Sequence, residues 1–490
     1  MPSKVASPHW FSETFGFAED PYDKTREKFV FADDVLESKV NGRRFFVGPW
    51  SLPSVAELRS QCAGAPRSLG GLTFSNVCGN AQTMHRDAGN EGSVFQVASQ
   101  FNCLEMNEPG ARPEDGVTRY YSDATQGPAC AISCPAGTVF RNYFVNGRGQ
   151  GRGHQLDGLA DIAELVGNSK EKYWRMVNGY CLPVDAKSIG RLGSRLKEDE
   201  PLAEELRGRL RIGVHWATEV ANKDHRVCQV FCSALPVAYA KSTRSQDWEA
   251  FARLVLQGTF EATLAAGAVL AAERGSRIKV YLTAVGGGAF GNRTAWIVEA
   301  IERALRIHAD SPLDVMLVHF GTVPRGAYAD LAKGRKTAPT AAPKSAPKPD
   351  ATDATDAAPA ASAASEPAEA AEPAEPAEPA EPAEPAEASE LPKDAAPALT
   401  RTESGAVAIS RIFAKLDTNN DGVILESDMS SVLKKLLPSL TDADIKSMFA
   451  AADSNCDGEV HYAEFAAWIT SENASDVMGQ LAKPDELPER

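Results

Sequence analysis

Apolar residues along this chain follow two spacings, and the switch between them outlines the architecture. From Trp248 to Ala272, Phe251, Leu254, Val255, Phe260, Leu264 and Val269 recur on one helical face, which predicts a long amphipathic helix. The run Arg277–Val285 then reads as a buried, β-branched strand. After a stretch rich in glycine, Trp296, Ile297, Ala300, Ile301, Ala304 and Leu305 return to helical spacing, and Leu313–Phe320 is a second buried-type strand. Strand, helix and strand in this order form a βαβ unit, which implies a parallel sheet. Nearer the start, Phe45–Trp50 predicts an edge strand and Pro53–Leu58 the beginning of a helix, within an N-terminal extension over residues 1–69. Near the end, Ile412, Phe413 and Leu416 precede one polar loop, and Met448, Phe449 and Ala452 precede another at the same offsets. Met429, Val432, Leu433 and Leu436 follow the first loop at helical spacing, and Phe465, Trp468 and Ile469 follow the second. Thr441-Asp-Ala-Asp444 reads as a helix N-cap with acids in the first turn.

Composition separates these regions. At 490 residues the chain has room for two to four domains, and its net charge of −15 is unevenly placed. Residues 336–400 carry 4 Lys against 13 acids, a net of −9; residues 401–490 carry −8, which leaves +2 for residues 1–335. No basic patch therefore advertises nucleic-acid binding. Residues 336–400 are built from Ala, Pro, Lys, Asp and Glu, with an Ala-Glu-Pro repeat between Ala371 and Glu387. Proline at every third residue blocks helix and sheet, so a disordered or polyproline-type linker is expected there. The N-terminus lacks the apolar segment of a secretory signal, and no run of about 18 apolar residues suggests a membrane span. The nine cysteines are scattered, which suits a reduced, cytoplasmic protein. Cys130/Cys134 and Cys228/Cys232 have four-residue spacing, more typical of buried core thiols than of a zinc site.

The two polar loops carry the most specific chemistry. Asp453-Ser-Asn455-Cys-Asp457-Gly458-Glu459-Val460-His461-Tyr-Ala-Glu464 places oxygen ligands at positions 1, 3, 5 and 12 and a glycine at position 6. Short acids and amides on alternating residues of a tight loop supply the first ligands, the Glu459 carbonyl adds one, and Glu464 closes the shell with two oxygens, as a hard cation requires. The upstream copy runs from Asp417 through Asn419, Asp421, Gly422 and Val423 to Asp428. Asp428 stands at position 12, where Glu is usual; its shorter carboxylate predicts weaker calcium binding there, or acceptance of magnesium. Ile424 and Val460 both occupy position 8, where paired loops join through a short β-bridge. Residues 401–475 thus resemble a paired EF-hand lobe of the calmodulin type, followed by a tail over 476–490. The resemblance implies calcium as ligand and a target protein as partner.

The glycines of the βαβ unit, Gly286-Gly287-Gly288-Ala289-Phe290-Gly291-Asn292, lie between a strand's carboxyl end and a helix N-terminus. Backbone N–H groups and the helix dipole favour an anion at such a place, whereas tight turning alone would explain the glycines equally well. The order helix, strand, glycine loop, helix, strand is similar to the C-terminal half of a macrodomain. Gly-Ala-Phe-Gly-Asn is similar to the diphosphate loop of bacterial-type poly(ADP-ribose) glycohydrolases. Leu72–Asn80 looks like that fold's opening strand and Val94–Asn102 like the next. The resemblance places Asn80 where an acid would read the adenine amino group, and Gln100 or Asn102 at the distal ribose. The family's glycine run and its paired glutamates are missing after Asn102, where the chain reads Cys103-Leu-Glu105-Met-Asn-Glu108. The resemblance thus implies an ADP-ribose or related nucleotide site, and hydrolysis of ADP-ribosyl substrates is left open.

Other polar clusters include Asp123 and Gln126 beside a turn, Asn142 after a short apolar run, and His215 with Glu219 on an expected strand. Capping, turn and core roles suit them better than catalysis. The expected architecture is multidomain. A three-layer α/β domain with a mixed sheet, similar to a macrodomain, spans 70–335 and is joined by a disordered linker to an all-α EF-hand pair. Two alternatives stand beside nucleotide binding: a pure calcium sensor whose N-terminal domain is a protein-binding scaffold, and a hydrolase of another phosphorylated substrate.

Overall fold

The computed structural model describes residues 6–62, 67–240, 242–333 and 335, and, in the C-terminal part, 416, 423–436, 441–453, 460–461 and 465. The expected linker over 336–400 and the tail over 476–490 lie outside the described residues.

The chain opens with a small antiparallel sheet of Phe29–Ala32 (β1), Val35–Ser38 (β2) and Arg44–Phe46 (β3). Phe11, Phe29 and Phe45 pack beneath it edge to face around Phe15, with ring centres 4.9 to 5.2 Å from that of Phe15. The edge strand expected over Phe45–Trp50 is divided: Arg44–Phe46 belongs to this small sheet, whereas Trp50–Ser51 (β4) pairs with the edge of the main sheet. Glu19 ties the extension down: its carboxylate accepts hydrogen bonds from the Val117 and Thr118 amides and the Tyr143 hydroxyl.

The main sheet continues with Thr73–Cys78 (β5) and Val94–Ala98 (β6), and the hairpin Trp174–Val177 (β7) with Tyr180–Pro183 (β8) stands apart from it. Gly213–Glu219 (β9), Arg226–Cys232 (β10), Ile278–Leu282 (β11) and Leu313–His319 (β12) complete seven strands in the order β4-β9-β10-β6-β11-β12-β5. The five strands from β10 to β5 are parallel, as the βαβ pattern predicts, and β9 and β4 add an antiparallel edge.

Side chains alternate across the sheet with the period of two that a pleated strand imposes. Val280, Val315 and Leu317 pack on one face with the helices Ser245–Arg274 and Thr294–Ile307, whereas Phe95, Tyr281 and Met316 turn to the other. That second face is covered in part by the helices Gln126–Ser133 and Pro135–Tyr143, so three layers result. The long helix is apolar enough over 18 residues, with mean hydropathy 1.5, to cross a membrane by length and composition, but 94% of that window is buried inside the domain. Its Gly267 lets the helix lie close to β11, since a Cβ there would come within 2.9 Å of Val280.

In the C-terminal module, Val423–Ile424 (β13) pairs antiparallel with Val460–His461 (β14), and Ile424 faces Val460 as position 8 of each loop predicts. Leu416, Ile424, Met429, Leu433, Ile445, Phe449, Val460 and Phe465 form its core, with contributions from the helices Glu426–Leu436 and Asp442–Ala452.

Candidate functional site

The glycine loop follows β11 at the carboxyl end of the parallel strands, where ligands of open α/β sheets gather. Two of its glycines are demanded by backbone geometry. Gly286 has φ +82° and Gly291 φ +67°, and Cβ atoms there would approach Ala234 to 2.5 Å and Ala238 to 2.7 Å. Asn292 locks the turn: its amide nitrogen donates to the Leu235 carbonyl at 2.8 Å, and its backbone N–H to Gly286 at 2.9 Å. The Gly287 and Gly291 N–H groups are also used internally, by the Ala284 and Gly288 carbonyls.

The three amides between them are different. Among the described residues, the N–H groups of Gly288, Ala289 and Phe290 have no hydrogen-bond acceptor. Gly288 is exposed, and a Cβ there would meet nothing within 4 Å. No side chain caps the helix Thr294–Ile307 that starts just beyond. Successive free N–H groups leading into a helix N-terminus form a concavity of positive partial charge.

Phe290 of the loop belongs to a cluster of aromatic rings. Phe290 lies 5.6 Å from the Tyr180 ring and 5.5 Å from that of Tyr239, and these two tyrosines are 5.5 Å apart. Tyr180 is fixed by donating its hydroxyl to the Met106 carbonyl at 2.6 Å. Phe320, just past β12, is 62% exposed, which is rare for a large apolar side chain.

Beside the loop the sheet splits. β11 pairs with β6 only at Val94 and Phe95. Beyond that point Gln126 fills the gap: its side-chain oxygen accepts from the Ala98 N–H at 2.9 Å and its nitrogen donates to the Gln96 carbonyl at 2.8 Å. Gln96 in turn accepts from the Thr283 N–H through its side chain and donates to Thr263. Gln126 therefore replaces a missing strand partner, a structural role other than the capping or turn role expected of it.

The remaining sequence candidates resolve similarly. Asn80 caps the helix Ala81–Arg86, its side-chain oxygen accepting from Gln82 and Thr83. Gln100 accepts from the Met106 N–H at 2.6 Å, and Asn102, fully buried, binds Gln155 and the Leu104 N–H. Asp123 caps a turn at Thr125, and Asn142 donates to the Pro113 carbonyl. Glu219 accepts from the Phe46 N–H. His215 is enclosed by Trp50, Phe140 and Phe231, and burial, then the Arg141 charge, hold it well below the usual histidine range as a neutral ring. Cys130, Cys134, Cys228 and Cys232 are buried free thiols.

One pair was not read from the sequence. Glu105 and Arg141 are both wholly buried, 3.3 Å apart, and Arg141 Nε also donates to the Cys103 carbonyl. Burial pushes the Glu105 carboxyl up to about 7, opposed by Arg141. The available signal was a lone charge within the apolar run Cys103–Met106 and another directly after Val139-Phe140.

In the C-terminal module, the ligand positions Asp417, Asn419, Asp421, Asn455, Asp457, Glu459 and Glu464 lie outside the described residues. Val423 lies on β13, and Asp453 is buried at the end of the helix Asp442–Ala452. The Asp428 carboxylate turns back to accept from the Leu425 N–H at 3.1 Å, within the first loop.

Comparison with known proteins separates the two parts. A family model described as an EF-hand domain pair matches residues 407–470. The probable calcium-binding protein CML28 of Arabidopsis thaliana is 46% identical over 73 residues, covering 15% of this chain and 84% of that protein. The probable calcium-binding protein CML17 of the same plant is 32% identical over 88 residues, and the chain spans only 53% of its length. The structure is also similar to poly(ADP-ribose) glycohydrolase from Thermomonospora curvata, at 14% identity and a TM-score of 0.35, covering 66% of this chain and 97% of that one. The glycohydrolase from Deinococcus radiodurans in complex with ADP-ribose is similar at 10% identity and a TM-score of 0.31, covering 58% of this chain and 92% of that one.

Proposed function

Because the chain belongs, through its C-terminal pair, to the EF-hand calcium-binding family, we propose that it is a calcium-binding protein whose α/β domain is a reader of ADP-ribose or a related nucleotide. The observation that carries the second half is the row of free N–H groups at Gly288, Ala289 and Phe290. A diphosphate is the ligand group best matched to them, because charged acceptors strengthen each N–H bond to about 1.5–3 kcal/mol. Phe320, Phe290 and Tyr239 offer faces for a base or ribose.

Binding without hydrolysis is the favoured form. The Gln126 side chain is consumed in closing the sheet, and the Glu105 carboxylate is sealed in its pair with Arg141. Neither is free to act as a general acid or base on a bound sugar.

Calorimetric titration of ADP-ribose into the full chain tests the reading, with Gly288→Glu as the variant. Gly288 has open space for a side chain, so the variant keeps the fold and sets a carboxylate against the phosphates. The expected result is wild-type binding and at least about 30-fold weaker binding by the variant, with unchanged melting, as a repulsion of about 2 kcal/mol requires. No heat at millimolar ligand would leave the domain a scaffold beside a calcium sensor. Release of ADP-ribose from a modified protein would make it a hydrolase.

A further inference from the structure

The helix Ala186–Glu198 buries Ile189, Leu192 and Leu196 and turns Lys187, Arg191, Arg195 and Lys197 to solvent. Lys187, Arg191 and Arg195 are four residues apart and so stack on one face. Beside them runs a trough between this helix and the first turns of Ser245–Arg274, floored by Ala186, Gly190, Gly193 and Ala250. Lys172 extends the cationic rim, with its Nζ 4.8 Å from the centre of the Tyr173 ring. Burial raises the Tyr173 phenol, but Lys172 and Arg195 together outweigh it and hold the group below its ordinary value.

Two features mark this face. Several arginines elsewhere in the domain are paired, among them Arg59 with Glu261, Arg207 with Glu200, Arg211 with Asp161 and Arg277 with Asp314. Among the described residues, Lys172, Lys187, Arg191, Arg195 and Lys197 form no ion pair; Arg191 donates to the Ser188 hydroxyl. Of the two acids in the trough, Asp247 is engaged by the Arg244 backbone and side chain, and Glu198 stands at the last position of the helix. The helix dipole explains Arg195 and Lys197 in the last turn but opposes Lys187 in the first, and like charges four apart weaken a helix. These costs are relieved by an anionic ligand.

We propose that this trough docks an acidic, extended segment of a partner protein, with its carboxylates on Lys187, Arg191 and Arg195 and its backbone over the small residues of the floor. Glycine and alanine allow a peptide backbone to approach closely. A short peptide fits better than nucleic acid: residues 1–335 carry a net charge of only +2 within a chain of −15, so no long-range field gathers a polyanion, and no aromatic side chain lines the trough for stacking bases.

The test is fluorescence anisotropy of a labelled 12-residue Asp/Glu/Gly peptide with the full chain, the double variant Arg191→Glu/Arg195→Glu, and Arg306→Glu as a charge-reversal control on another helix. Arg191, Arg195 and Arg306 are all exposed, so folding is expected to survive and is checked by melting. Binding that weakens at least tenfold in the double variant, holds in the control and falls with salt supports the proposal. Equal binding by all three proteins overturns it. So does tighter binding of a single-stranded oligonucleotide that the double variant loses.

Discussion

Glu105 and Arg141 face each other at 3.3 Å with neither side chain exposed to solvent, and the guanidinium also lies 3.7 Å from the centre of the Phe231 ring. Removing one partner of such a pair strands the other charge in a medium that cannot solvate it. Arg141→Met is expected to cost about 3–5 kcal/mol, read as a lowered urea midpoint. Because burial raises the folded pKa of Glu105 to about 7, above its ordinary 4.5, its protonated form is favoured by folding. That contribution is complete below about pH 4.5 and is lost as pH rises through about 7. Glu105→Gln should therefore flatten the decline of stability between about pH 4.5 and 7.

His85 titrates in the opposite sense. Its Nδ1 lies 2.7 Å from the Ala81 carbonyl, its Nε2 meets the Gln229 amide, and its ring stacks on Phe95 at 3.9 Å. Burial lowers its pKa to about 4, and His308 is lowered to about 4 for the same reason. A depressed folded pKa gives stability that is present above pH 6.5 and lost as pH falls through 4, on the order of 3 kcal/mol for each ring. Thermal midpoints should drop over that window, less steeply in His85→Gln. A parallel drop in wild type and variant would count against the assignment.

Within the glycine loop, neighbouring positions should respond differently to the same change. Gly291→Ala forces a side chain into a left-handed conformation and against Ala238, at a cost of about 1–3 kcal/mol. Gly288→Ala meets open space and should stay within about 0.5 kcal/mol of wild type. Denaturant unfolding of the two variants distinguishes them.

The two calcium loops should separate on single substitutions. Glu464→Gln removes a carboxylate from position 12 of the second loop and is expected to abolish one of two sites in a chelator-competition titration. Asp428→Glu lengthens the carboxylate that bonds back to Leu425, and should tighten the first site for calcium by roughly tenfold while weakening magnesium binding. Unchanged affinities would mean that position 12 does not close these shells.

Local pattern carried much of this protein. Helical spacing from Trp248 to Ala272 and the strands on either side of the glycine loop are visible because each reports its own burial through period 3.6 or period 2. The EF-hand loops are visible because their ligands lie within twelve consecutive residues. The pairing of Ile424 with Val460 followed from equal position in two copies. The division of the expected edge strand Phe45–Trp50 into β3 and β4 was not legible, since strands of three and two residues are too short to show a period.

What the sequence alone determined, then, is the parallel α/β core, the calcium module and the place of the glycine loop. The tertiary structure decided which polar groups are spent and which are free. Gln126, a plausible site residue, is taken up by Gln96 and Ala98, about 30 residues before it in the chain. Glu105 and Arg141 neutralise each other across 36 residues. The N–H groups of Gly288, Ala289 and Phe290 remain open because the chain around them satisfies only their neighbours. A hydrogen-bonding group is available to a ligand only when no distant partner has reached it, and the fold alone decides which partners arrive.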